Sequence, residues 1–284
     1  MAVWNEPRSF WTWGNVSDEP SDEERHKMAK IASQKLGQAV TPPPVPKLDD
    51  VQLSPSRIEV PADLSEFVNA GHRERALHTY GGHSLELLKA LRGQFDNPPD
   101  AVAFPRTEEE LERVLSWCDQ HGFAAIPYGG ATSVVWGLNV PEQCNAAVTI
   151  DMANFHRIIE IDDISRAANI QAGVFGPDLE AQLRPHGLTL RHFPQSFPWS
   201  TVGGWVATRS GGHYATNHTH IDDFVESVRM LTPSGWWESR RLPGSGAGPS
   251  PDRLAIGSEG ILGVISSVWL RLQKRPVYRA TAGV

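Results

Sequence analysis

Cysteine is scarce. Only Cys118 and Cys144 occur in 284 residues, too few for a disulfide scaffold. No Cys/His run has zinc-finger spacing. No apolar stretch is long enough to span a bilayer, and no signal-peptide pattern opens the chain. Positive charge is not in excess: Lys plus Arg number 26 against 33 Asp plus Glu, a formal charge of −7. A mildly acidic chain argues against general nucleic-acid binding. These absences predict a soluble, cytoplasmic protein with no nucleic-acid partner and no integral membrane segment. At 40% hydrophobic residues, the length suffices for one large domain or two modest subdomains with a real core. Glycine and proline are plentiful, 25 and 22 residues, and the glycines cluster.

The first 62 residues read as an appendage. Trp4, Trp11 and Trp13 stand among polar and turn residues, and Thr41–Pro46 favours a stiff polyproline spacer. Between them Glu23–Leu36 reads as a short polar helix, too polar for a membrane anchor. Docking of the tryptophans on the body is the plainer expectation; docking on a partner is the other.

From about residue 97 an α/β pattern begins. Ala101–Phe104, Ala124–Pro127 and Ala146–Asp151 read as strands. Thr107 with Glu110 forms a capping box for a helix that carries Leu111, Val114, Leu115 and Cys118 on one face and stops at Gly122. Ile158–Ile161 and Ala167–Val174 read as strands around an Asp162-Asp163 turn. Pro177 opens a further helix that Gly187 closes. Phe224–Leu231 and Trp236–Ser239 flank Thr232-Pro233-Ser234-Gly235, a strong hairpin signal. Gly244–Pro251 is a loop by composition, and Ile261–Leu272 reads as a last strand.

Three glycine clusters carry the chemistry. Pro127–Gly137 (PYGGATSVVWG) follows a strand; its glycines let backbone N–H groups approach a ligand, and Thr132 and Ser133 add hydroxyls, as a pyrophosphate nest requires. It is neither a Walker loop nor G-x-G-x-x-G. Ser200–Gly212 (STVGGWVATRSGG) offers hydroxyls, a close backbone approach at Gly203 and Gly204, and the fork of Arg209. A tight helix–sheet contact is the alternative for its glycines. Gly257–Ile265 (GSEGILGVI) reads as a turn entering a buried strand. Each is weak alone; three in order on an α/β chain suggest one long cofactor touched by several loops.

The order of these motifs resembles that of FAD-linked oxidases of the vanillyl-alcohol-oxidase/PCMH type. Within that family T-V-G-G-W-V-A-T-R is most similar to the alkyldihydroxyacetonephosphate synthase (alkylglycerone-phosphate synthase) group, as are Tyr80–Ser84 and the N-terminal tryptophans. The resemblance covers roughly residues 50–275. It implies an α+β chain with the FAD-binding PCMH-type fold of two α/β subdomains and noncovalent FAD between them. The expected division is an extension (1–62), a helical lead-in (63–96) and an FAD-binding domain (97–276), with subdomains of about 97–155 and 156–276.

Carried over residue by residue, Pro127, Tyr128, Gly129, Gly130, Ala131, Thr132 and Ser133 would wrap the pyrophosphate. Gln195, Ser196, Phe197, Pro198, Trp199, Ser200 and Thr201 would pass along the flavin and ribityl chain, with Gly203 and Gly204 following. Thr208, Arg209, Ser210 and Gly211 would hold the dinucleotide from the other side. Glu259, Gly260, Ile261, Leu262, Gly263, Val264 and Ile265 would border the adenine end or the pyrophosphate. The resemblance implies a small-molecule or lipid-like substrate: the acyl group of an acyl-dihydroxyacetone phosphate is exchanged for a long-chain alkyl group through a flavin N5 adduct, on a route to ether lipids. Other members oxidise alcohols or 2-hydroxy acids.

The sequence departs from the family at several points. Ala131 stands where the family has a third Gly, and Gln195 where it has Asp. His218-Thr219-His220 replaces a Tyr-Gly-Asn turn. With His213 and Asp222 these histidines invite a metal reading, but nothing else supports it and no metal is expected. His83 and His192 are the candidates for a covalent flavin link, which the most similar group lacks. Nothing up to Val284 matches the family's C-terminal cap domain, so the family's catalytic residues find no counterpart in this sequence. The expectation is therefore an FAD enzyme, complete or fragmentary, as a homodimer or with a separate cap-bearing partner. The contrasting reading is a non-catalytic flavin-binding partner subunit.

Overall fold

A computed structural model describes residues 6–215, 220–242, 248–278 and 280–283. His218, Thr219 and part of the Gly244–Pro251 loop lie outside these residues. The chain divides into two compact units. One comprises residues 1–103, 120–126 and 131–149, the other residues 104–119, 127–130 and 150–284.

The first unit opens with the N-terminal segment. Helix α1 (Asp22–Leu36) starts at Ser21, whose hydroxyl accepts from Glu24 N while the Glu24 carboxylate accepts from Ser21 N, and it stops at Gly37 in the left-handed conformation. Only Ala29 of α1 is buried. Trp4 lies outside the described residues; of the later aromatics, Trp11 is buried with Val51, Ala76, Ala90 and Phe95, and Phe10 and Tyr80 pack alongside. Strand β1 (Val68–Asn69) and helices α2 (His72–Leu77) and α3 (Ser84–Leu91) lead to strand β2 (Ala101–Ala103). Helix α4 (Glu108–His121) then belongs mostly to the second unit. Strands β3 (Ala124–Tyr128) and β4 (Ala147–Asp151) complete a sheet of order β1-β2-β4-β3. Every residue of β2 and β4 is buried; β2 (Ala-Val-Ala) is apolar throughout, whereas β4 also buries Thr149 and Asp151, the latter accepting from Ala153 N. One buried carboxylate ties the extension to the sheet. Asp100 accepts from Arg57 N, from Arg57 Nε and Nη2, and from Ala147 N. Burial alone raises its pKa, but the Arg57 hydrogen bonds outweigh burial and hold the carboxyl below its ordinary range.

The second unit is built on a five-stranded antiparallel sheet of order β5-β6-β10-β8-β9. Its elements are β5 (Ile158–Asp162), β6 (Ala167–Gln171), α5 (Gly176–Leu183), β7 (Leu188–Thr189), α6 (Val202–Ala207), α7 (Ile221–Phe224), β8 (Val225–Thr232), β9 (Gly235–Glu238), α8 (Asp252–Ala255), β10 (Val264–Arg271) and β11 (Gln273–Lys274). Ile170, Leu179, Leu183, Val202, Trp205, Val228, Val268 and Leu270 form the core between this sheet and α5–α8. Alternation turns Arg229 to the opposite face, where it meets Glu108 of α4 at 2.8 Å and Glu238 at 2.9 Å. Ser266 also donates to Glu108 and Trp236 to Glu112, so polar contacts hold the start of α4 on the sheet.

Two local readings need correction. In α4 the buried face is Leu111, Val114, Trp117 and Cys118, while Leu115 is only half-buried. The last strand begins at Val264 rather than Ile261: Gly263 has φ 156° and Ile261 is 83% exposed, so residues 261–263 are a turn feeding the strand.

Candidate functional site

The second unit brings the start of the first glycine motif together with the other two. Gly129 lies at the end of β3, and a Cβ there would come 2.5 Å from Thr201 Oγ1. At Gly130 a Cβ would fall on the carbonyl of Trp199, so no side chain fits. Thr201 Oγ1 accepts from Gly204 N at 3.3 Å and caps α6. Ser200 Oγ accepts from Trp205 Nε1 at 2.7 Å. The third motif joins from the other side: Gly257 N donates to Val206 O at 3.0 Å and Glu259 N to Ala207 O at 2.8 Å. A Cβ on Gly260 would come 3.2 Å from Pro127. Pro127–Gly130, Trp199–Arg209 and Gly257–Gly260 are thus one packed cluster.

Inside it, the glycines differ in purpose. Gly203 faces Ala172, whose Cβ would lie 2.6 Å from an added one; here the small residue serves a tight helix–strand contact. Gln195 and Pro198 are exposed, with Phe197–Trp199 in a single 3-10 turn. Arg209 and Glu259 adopt the left-handed conformation at φ 50° and 54°, a shape that can turn successive backbone N–H groups toward an anion. The Arg209 guanidinium is held by Asp222, which also pairs with Arg253. Burial would raise the Asp222 pKa, but the two arginines keep it below its usual range. An aspartate so committed is a poor metal ligand, and the companion His218 lies outside the described residues. Val264 and Ile265 are buried in β10, pairing with Leu231 and Met230.

His192 is 2% exposed, with Nε2 2.8 Å from Ser210 Oγ and its ring edge-on to Trp205. Burial, and next the nearby His220, push its pKa down to about 4. The ring is neutral and enclosed, unsuited to a covalent link. His83 belongs to the first unit, where its Nδ1 accepts from Leu85 N at 3.2 Å and caps α3.

The first unit holds the rest of the first motif. Ala131, at the family's glycine position, has φ 56°, so this position does use the left-handed region that favours glycine. The Ser133 hydroxyl is buried without a partner, and such orphans in a native fold call for an absent ligand or water. In this unit the left-handed backbone at Ala131 and the orphan Ser133 hydroxyl suit an anionic group such as a phosphate. The sequence marked Tyr80–Ser84 only through the resemblance; nothing in it placed Gly81 and Gly82 against Ser133.

Fold and site together define a two-unit α+β protein whose glycine loops suit a dinucleotide cofactor. Residues 99–239 match the family model described as an FAD binding domain. The alkyldihydroxyacetonephosphate synthase of Dictyostelium discoideum is 36% identical over 202 residues, 71% of this chain and 33% of that protein. The mitochondrial D-lactate dehydrogenase [cytochrome] of Arabidopsis thaliana is 35% identical over 190 residues, 66% of this chain and 32% of that protein. A solved alkyldihydroxyacetonephosphate synthase structure superposes with a TM-score of 0.77 at 30% identity, covering 83% of this chain and 44% of that one. The chain belongs to the PCMH-type FAD-binding flavoproteins, and FAD is its cofactor. It spans about a third of the length of these two curated relatives.

Proposed function

We propose that this chain is the flavin-binding part of an enzyme of the alkylglycerone-phosphate synthase type, a transferase that exchanges the acyl group of an acyl-dihydroxyacetone phosphate for an alkyl group in ether-lipid synthesis. The observation that carries the reading is the packing of T-V-G-G-W-V-A-T-R against Pro127–Gly130 and Gly257–Gly260 in one unit. When bound, FAD supplies an electrophilic and redox-active ring. In this reading Gly129 and Gly130 let the first loop seat directly on Trp199–Thr201, and Ala131, Thr132 and Ser133 carry the loop on to the pyrophosphate. Gln195–Thr201 line the ring and ribityl side, Thr208–Gly211 hold the dinucleotide, and Glu259–Gly263 border it. No side chain here is assigned to the chemical step, which falls to a cap-bearing region or partner. Two free cysteines, Cys118 buried and Cys144 half-buried, support a reducing compartment such as the cytoplasm. Among the described residues no helix is long and apolar enough to cross a membrane.

The identity to a D-lactate dehydrogenase favours a second reading, an FAD-linked oxidase or dehydrogenase of 2-hydroxy acids or alcohols. The visible absorption spectrum of the purified chain, before and after acid precipitation and with FAD added back, tests both. A flavin spectrum released by acid is expected, and a folded chain that takes up no FAD sinks both. Incubation with acyl-dihydroxyacetone phosphate and a long-chain alcohol, with and without a cap-bearing partner, then separates synthase from oxidase. Lactate or glycolate turnover with an electron acceptor would favour the oxidase. FAD binding with neither activity under any pairing would leave a flavin-binding partner subunit.

A further inference from the structure

The first unit contains a second glycine pair that the site does not absorb, Gly81-Gly82, followed by His83 and Glu86. Gly82 N donates to Ser133 O at 2.7 Å. A Cβ on Gly81 would come 2.7 Å from that same Ser133 oxygen and 3.6 Å from Leu138 Cδ1. On the far side of the turn, the indole of Trp13 lies so close that a Cβ on Gly82 would meet it at 2.6 Å. The turn is therefore pressed between the N-terminal segment and the 131–139 loop, with no space for a side chain in either direction.

Glu86, one helical turn on, is 3% exposed. One carboxyl oxygen accepts from His83 N at 3.2 Å, the side chain is also hydrogen-bonded by Gly81 N and the Asn139 side chain, and Oε1 is buried without a partner. The His83 ring packs on the Trp136 ring at 4.6 Å. Trp136, about half exposed, has φ 60°, an uncommon conformation for a bulky residue. Ser133, Trp136, Leu138 and Asn139 are thus gripped by residues 81–86.

We propose that the Gly81–Glu86 turn is a clasp that holds the 131–139 loop in its cofactor-receiving shape, with Glu86 and Trp13 as positioning residues that set FAD affinity without touching FAD. The proposal rests on the reading that Ala131–Ser133 receive the pyrophosphate. Pre-forming the loop lowers the ordering needed on binding, which is how a distant residue strengthens affinity. Glu86→Gln keeps an acceptor oxygen on the same stem for His83 N, whereas Glu86→Ala removes it, so the amide is the conservative variant.

The test uses the full chain and two measurements. Amide hydrogen exchange without FAD is read over residues 131–139 and, as an internal control, over β8 and β10. FAD dissociation constants are read by fluorescence quenching. Glu86→Ala is expected to speed exchange in 131–139 alone and to weaken FAD binding about tenfold. Glu86→Gln is expected to restore both to within about threefold. If Glu86→Ala does not fold, Trp13→Ala serves, with the same loop-confined effect expected. Unchanged exchange in 131–139 overturns the clasp, as does a loss in Glu86→Ala that extends equally through β8 and β10. A wild-type chain that takes up no FAD overturns the cofactor reading instead, and the exchange data still decide the clasp.

Discussion

Ala131 and His192 show how single residues carry cost and conditionality. Ala131 departs from the family's glycine and yet keeps the left-handed backbone, φ 56°. An L-residue there costs about 1–2 kcal/mol, partly offset because alanine has the less flexible unfolded chain. Ala131→Gly is expected to raise stability by about 0.5–1 kcal/mol with FAD affinity kept or improved; denaturant titration reads the first and fluorescence the second. A drop in stability would mean the loop has adapted around the methyl. His192 has a folded pKa near 4, below the ordinary 6.5. A depressed histidine stabilises in its neutral form. Its contribution is full above pH 6.5 and is lost as pH falls toward 4. The loss reaches about 3 kcal/mol. The difference in stability between the wild type and His192→Gln should therefore shrink as pH falls through that window, and a constant difference would refute the assignment.

At the scale of elements, local pattern and tertiary demand part company. The hairpin around Gly235, the helix opened by Thr107 and the strand pair around Asp162 were all legible, because turn chemistry and capping are written in adjacent residues. Helix α6 was not. Its sequence V-G-G-W-V-A holds two glycines in six residues, and glycine costs about 1 kcal/mol in a helix. The helix forms because Thr201 caps it and because Gly203 lets it lie on Ala172. Gly203→Val is accordingly expected to destabilise the chain by about 2–4 kcal/mol. It should also weaken FAD binding, since Thr201 and Arg209 sit at the two ends of the displaced helix. Urea unfolding and flavin retention measure the two effects, and a stable variant would show that the sheet yields. The α4 face was misread by one position for a related reason. Leu115 and Trp117 both satisfy a helical repeat, and the choice is made by what α4 packs against.

For the whole molecule, the motif order was readable but the threading was not. The sequence places the three glycine clusters far apart; motif order and the resemblance suggest that they share one cofactor, but not which residues of each lie against which. In the structure, Pro127–Gly130, Trp199–Arg209 and Gly257–Gly260 meet in one unit, while Ala131–Ser133 belong to the other. The chain passes between its two units five times. Such threading follows from long-range contacts that no local window contains. FAD should then stabilise the fold by mass action. At a free concentration of about a hundred times its dissociation constant, the gain should be about 2.7 kcal/mol, visible as a concentration-dependent rise in melting temperature. A melting temperature indifferent to FAD would mean that the cofactor binds folded and unfolded chains alike or not at all.

The Arg57–Asp100 pair bears on where the chain can be divided. The segment that marks the family, residues 99–239, begins beyond Arg57 and ends before β10. Cut there, Asp100 would lose Arg57, which donates to both of its oxygens, and β2 would lose its partner β1. Strands β6 and β8 would lose the neighbour they share, leaving two open edges free to pair with other chains. What identifies this protein to a reader of sequences is therefore shorter than what can hold itself together in water.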